Sequence, residues 1–190
     1  MFKRISLTAT IFAAAAAPAF AHLNPAEHGS FLAGVSHPLT GADHILVMVA
    51  VGLWASQIGG RALLAVPAAF VGAMALGFGL AMLGVHLPFV EPAILASVVG
   101  LGLLVATALR VNTAAAAAIV GVFALFHGHA HGAELGSAGA LQFGLGFLIA
   151  TAALHVAGIG AGLGLSRFGP RATRALGLLT AAGGTALMLG

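Results

Sequence analysis

Charge is nearly absent from this chain, and its placement decides what the chain can become. In 190 residues there are seven Lys and Arg and four Asp and Glu, 6% in all, where a soluble domain has about 25%. With Asp43 as the clear exception, they lie near or beyond the ends of six apolar runs, at about 31–57, 61–84, 89–109, 113–133, 138–165 and 171–189. Each run has the roughly 20 residues that cross the hydrocarbon of a bilayer. The sequence therefore predicts an all-α membrane bundle of six transmembrane helices. The mean hydropathy of +1.12 agrees.

Residues 1–21 read differently. Lys3 and Arg4 form a basic start, Leu7–Ala17 a short apolar stretch, and Ala19-Phe20-Ala21 a small-x-small cleavage site. This is the pattern of a cleaved signal peptide, leaving residues 22–190 as the six-helix domain. Without Lys3 and Arg4, five arginines face four acids. No basic patch is left, which excludes nucleic acid as a partner and leaves the lipid bilayer as the surroundings. There is no cysteine, so disulfides, thiolate ligands and thiol catalysis are excluded.

Arg61, Arg110 and the group Arg167, Arg171, Arg174 fall in alternate connections. The positive-inside rule puts these in the cytoplasm and both mature termini outside, as a cleaved signal also requires. Spans one and four each carry a histidine–acid cluster. Each would open a three-span half, and an odd number of spans per half makes the halves inverted.

The first cluster lies in Ser36–Trp54, SHPLTGADHILVMVAVGLW. His37, Asp43 and His44 intrude where hydrocarbon makes ionisable groups costly, and such groups mark sites or ion paths. Pro38 disfavours helix at His37. Thr40 to Asp43 has the spacing of a capping box. The expectation is a broken helix, with an outer piece through Val35 and a restart near Thr40. Asp43 alone could be only a cap; beside His44, and with His37 seven residues earlier, it reads as part of a site. Met48 shares a face with His44, as a core residue or a weak soft ligand.

The second cluster is Phe126–Glu134, FHGHAHGAE. His127 and His131 have the i, i+4 spacing that lets two imidazoles share one metal, and Glu134 lies on much the same face. His129 points elsewhere and reads as solvated, with metal capture or a path role as the alternative. His155 is isolated, either bonded to a neighbouring helix or part of a path. His86 and Glu91 lie around a connection and read as solvated. Imidazole with carboxylate and no thiolate suits Ni²⁺, Co²⁺ or Zn²⁺.

HPLTGADHILVM and FHGHAHGAE resemble the two signature motifs of the HupE/UreJ family of nickel permeases, and the leader and six-span layout extend the resemblance over essentially the whole chain. The resemblance implies a protein of the bacterial cytoplasmic membrane that admits nickel, in some members cobalt, to supply hydrogenase or urease. By matching position, His37, Asp43 and His44 are the residues of the first motif, and His127, His131 and Glu134 those of the second. His129 falls outside this set.

The leading reading is thus a divalent-metal permease that is not an enzyme and has no permanently bound cofactor, with Ni²⁺ or Co²⁺ as cargo. A homo-oligomer is left open. An intramembrane zinc hydrolase would use the same cluster. A metal sensor would need a cytoplasmic surface that the short arginine connections do not offer. Cleavage after Ala21 would expose an α-amine on His22. Amine and imidazole make a two-nitrogen chelate for nickel, with Glu27 and His28 following near the outer mouth.

Overall fold

The computed structural model describes residues 30–135 and 139–190. The signal segment 1–21 and His22, Glu27 and His28 lie outside these residues. The described residues form helices and no strand. α1 (Phe31–Thr40) and α2 (Ala42–Ile58) make the first span, bent by 81°. α3 (Ala62–Met82), α4 (Val90–Thr107), α5 (Thr113–Leu135), α6 (Ala140–Ser166) and α7 (Pro170–Leu189) follow, each carrying a stretch long and apolar enough to cross a membrane. Counting the bent pair as one, the described residues hold six candidate spans. Their bounds fall within a few residues of those read from hydropathy. Leu32, Leu64, Leu83 and Phe168 are exposed, while His44, His127, His131 and His155 are buried. Polar inside and apolar outside is the arrangement of a multi-pass membrane protein.

The first span breaks later than expected. α1 runs through His37 and Pro38 and ends at Thr40. Pro38 has no N–H for the Gly34 carbonyl, but the helix ends within a turn, so one lost bond is tolerated. The Thr40 hydroxyl turns back to donate to the carbonyls of Ser36 (3.2 Å) and His37 (3.1 Å), so it does not cap α2. Gly41 takes the N-cap position in extended backbone, with no side-chain cap bond. The capping box is absent because Thr40 already closes the preceding helix.

Helices pack most extensively as α3 with α5, α4 with α7, and α6 with α2 and α1. Exchanging spans one to three for spans four to six carries the first–fifth pairing onto the fourth–second and the third–sixth onto itself. Inverted halves would do the same. Glycine sets the close approaches: a Cβ on Gly128 or Gly132 would meet the backbone of α3, and one on Gly52 or Gly158 the backbone of the facing helix. Gly162 meets Ser56, whereas Gly160 and Gly164 face open space. Gly128 with Gly132 and Gly158 with Gly162, each four residues apart, thus lie at helix contacts.

The arginine connections gather at one end. Carbonyls at and just past the end of α4 accept from Gln57 Nε2 (at Val105, 3.0 Å), Arg174 Nε (at Ala106, 2.7 Å) and Trp54 Nε1 (at Leu109, 2.8 Å). These bonds satisfy groups that a helix C-terminus leaves without partners, and they tie the end of α2 and the start of α7 to α4. The start of α2 and the end of α5, which carry the histidine motifs, lie at the opposite end.

Candidate functional site

The bend at Gly41 brings the first motif together. On a straight helix His37 and His44 would be two turns, about 10 Å, apart. Here their ring centroids are 5.3 Å apart. α5 delivers His131 between them, its ring 4.3 Å from His37 and 4.8 Å from His44. Each of the three histidines offers a ring nitrogen, and these atoms all lie within 4.8 Å of one another. His44 and His131 are buried and His37 is half-buried. Phe147 of α6 lies against all three rings, 4.8 to 6.0 Å between centroids, giving the group an apolar wall.

Nε2 of His44 and Nε2 of His131 share a hydrogen bond of 2.7 Å. Two nitrogens each about 2.0–2.1 Å from a tetrahedral ion sit about 3.3–3.4 Å apart. Parting these rings by a little over half an ångström would admit an ion, once the proton between them leaves. Asp43 Oδ1 lies 2.9 Å from His44 Nδ1. A carboxylate there holds the Nδ1–H tautomer and turns the Nε2 lone pair toward an ion. Gly41 lies beneath this pair: a Cβ there would be 2.8 Å from His44 Nδ1 and 3.0 Å from Asp43 Oδ1.

The other sequence candidates are distributed around this group. His127 lies one turn deeper on α5, fully buried, its ring 5.4 Å from His44 and its Nε2 2.9 Å from the Ser97 hydroxyl of α4. It forms a second layer rather than part of the three-nitrogen group. Glu134 belongs to α5, three residues past His131; its side chain lies outside the described residues. Met48 is fully buried in the apolar core. His86 and Glu91 are exposed.

Two expectations are corrected. His129 is not solvated: it is 5% exposed, with Nε2 2.7 Å from the Val85 carbonyl in the α3–α4 connection. The face of α5 that points away from the cluster packs on α3, so it points into protein rather than water. His155 is not hydrogen-bonded to a neighbouring helix: it is buried beside Phe70, and neither ring nitrogen has a hydrogen-bond partner among the described residues.

Ser97 is the residue that sequence reasoning missed. Its hydroxyl also reaches the Ile94 carbonyl at 2.6 Å, on its own helix. A serine in a membrane helix can satisfy itself in this way, so nothing in the sequence around it signals a distant histidine.

The comparisons with known proteins agree with the motifs. No solved structure matches the chain. It is 47% identical to Protein HupE of Rhizobium leguminosarum bv. viciae, in an alignment covering 98% of this chain and 100% of that protein. The family described as HupE / UreJ protein matches residues 10–187. The chain belongs to the HupE/UreJ family.

Proposed function

We propose that this protein carries divalent nickel, with cobalt as a second cargo, across the bacterial cytoplasmic membrane to supply hydrogenase or urease. The observation that carries the reading is the convergence of three imidazoles from α1, α2 and α5, two of them buried, inside a membrane bundle. Three neutral nitrogens suit a borderline first-row ion. They hold it less firmly than a closed four-ligand cage, and conduction needs a site that can release. His37, His44 and His131 are the proposed ligands. Asp43 backs His44, His127 waits one turn deeper, and Glu134 lies beyond His131 on α5. His22, Glu27 and His28 are proposed to gather the ion ahead of His37.

The histidine end would face outward and the arginine end the cytoplasm. After removal of 1–21, both termini would be outside. An impermeant thiol reagent added from outside should label Ser137→Cys and spare Thr113→Cys; the opposite pattern would invert this topology. The function itself is tested by ⁶³Ni²⁺ uptake into proteoliposomes. Saturable uptake, competed by Co²⁺ more than by Zn²⁺, is expected. Protein that moves no nickel but releases product from a peptide or lipid, with stoichiometric zinc, would replace the permease reading with hydrolysis.

A further inference from the structure

The three-histidine group lies near the outer end of the bundle, and an ion held there still has most of the membrane to cross. His155 lies deeper on α6, two turns past Phe147 on the same helical face. It is 1% exposed, and both its ring nitrogens lack hydrogen-bond partners among the described residues. Burying a polar ring unsatisfied is costly, and native interiors rarely do so without a reason. An apolar residue of the same size would fill this position at less cost.

Phe70 of α3 supplies the connection. Its ring is fully buried, 5.9 Å from His127 on one side and 5.0 Å from His155 on the other. The imidazoles thus form a series: His37, His44 and His131, then His127, then the Phe70 ring, then His155. Thr151, one turn before His155, donates to Met74 Sδ at 3.8 Å, and Met74 lies one turn past Phe70. Hydroxyl and thioether accordingly stand within one helical turn of the Phe70–His155 contact. Two turns beyond His155, about 10 Å along α6, Gly162 lines a cavity of about 220 Å³ with Ser56, Gln57 and Arg110 at the arginine end.

We propose that His155 is a second metal-ligating site, an inner station for a first-row divalent ion, separated from the outer three-histidine site by the ring of Phe70. An ion leaves the outer group when the Phe70 ring swings aside, is held by a His155 nitrogen, and is released toward the polar cavity. One nitrogen donor with weak neighbours binds less firmly than three, so the ion moves on. The proposal rests on the transport reading of the outer site, but part of its test does not.

Two variants decide it. His155→Leu keeps the volume and removes an unsatisfied polar ring, so the protein should fold with its thermal midpoint kept or raised. Its maximal Ni²⁺ uptake should fall about tenfold or more, with KM within about twofold of the parent because the outer site still captures. A side chain that only packs would leave the maximal rate unchanged, and that result overturns the proposal. His155→Cys places the one thiol in a cysteine-free chain. Adding Co²⁺ to the purified variant should produce a thiolate-to-cobalt charge-transfer band in the near ultraviolet, absent from the parent. No band means that an ion does not reach this position, and the proposal fails whatever the uptake result. If His155→Leu does not accumulate, the cobalt titration decides alone. If the parent transports no nickel yet the band appears, the transport reading fails and the inner site stands.

Discussion

The first and fourth spans bring histidines to the same group by opposite means. The first span is broken: α1 and α2 meet at 81°, and the break folds His37 and His44 toward each other. The fourth is one continuous helix of 23 residues. It lies close against α3 through Gly77, Gly128 and Gly132 and presents its histidines one turn apart. A continuous helix can place only one of two such residues at a given depth, so His131 joins the group and His127 forms the layer below. The broken span gains convergence at the cost of helix ends within the membrane region, where α2 starts without a side-chain cap. The unbroken span gives His131 a fixed frame, and the broken span folds two histidines toward it.

The largest test of this comparison asks whether the two spans hold one ion together. His44→Ala and His131→Ala should each lower nickel uptake about a hundredfold or more, and the double variant should be no worse than either single one. Shared ligands act as a unit, so the losses should not multiply. Multiplying losses at normal protein levels would mean two separate sites, and the contrast between the spans would have to be restated.

Much of this arrangement was legible from residue chemistry. Hydropathy placed the spans, since twenty apolar residues in a row have few other uses. The two motifs were visible because histidine and aspartate stand out against alanine, glycine and leucine. The break at Gly41 was less legible. Pro38 was the evident breaker, but a proline near a helix C-terminus removes one bond and need not end the helix at once. Thr40 matched a capping pattern, and only the structure shows its hydroxyl bonded backward. The surroundings of His129 are not legible in the sequence, because a helix-face argument gives direction without naming what lies there. The face of α5 that points away from the cluster packs on α3 rather than meeting water.

Glycine substitutions sharpen the comparison at the next scale, because the same added methyl group should do different harm in the two spans. At Gly128 a Cβ would strike the Met74 carbonyl, with Phe78 N at 2.9 Å. Backbone cannot yield locally, so Gly128→Ala should destabilise the bundle by about 1–3 kcal/mol, read as a lower thermal midpoint and less folded protein. At Gly41 the Cβ meets side-chain atoms of His44 and Asp43, and φ of −82° suits any residue. Gly41→Ala should therefore fold normally and disturb the His44–Asp43 pair, raising the KM for nickel by about tenfold, the low end of what outer-shell changes do. A destabilised Gly41→Ala protein with unchanged KM would show that the break is structural and carries no ligand geometry.

The smallest expected effect lies within the fourth span itself. His129 and His131 are two residues apart, so an α-helix turns them to different sides. His131 faces His37 and His44, and His129 bonds the Val85 carbonyl at 2.7 Å, in the connection that follows α3. If the frame role of this span is right, His129→Ala removes one side-chain-to-backbone bond worth about 0.5–1.5 kcal/mol. Val85 is itself partly open to the surroundings, so its carbonyl can find another partner. Nickel uptake per folded molecule should stay within about twofold of the parent, with a thermal midpoint a few degrees lower. A large loss of uptake at full stability would instead make the α3–α4 connection, with exposed His86 and Glu91, part of the path, and the ligands would no longer be confined to α1, α2 and one face of α5.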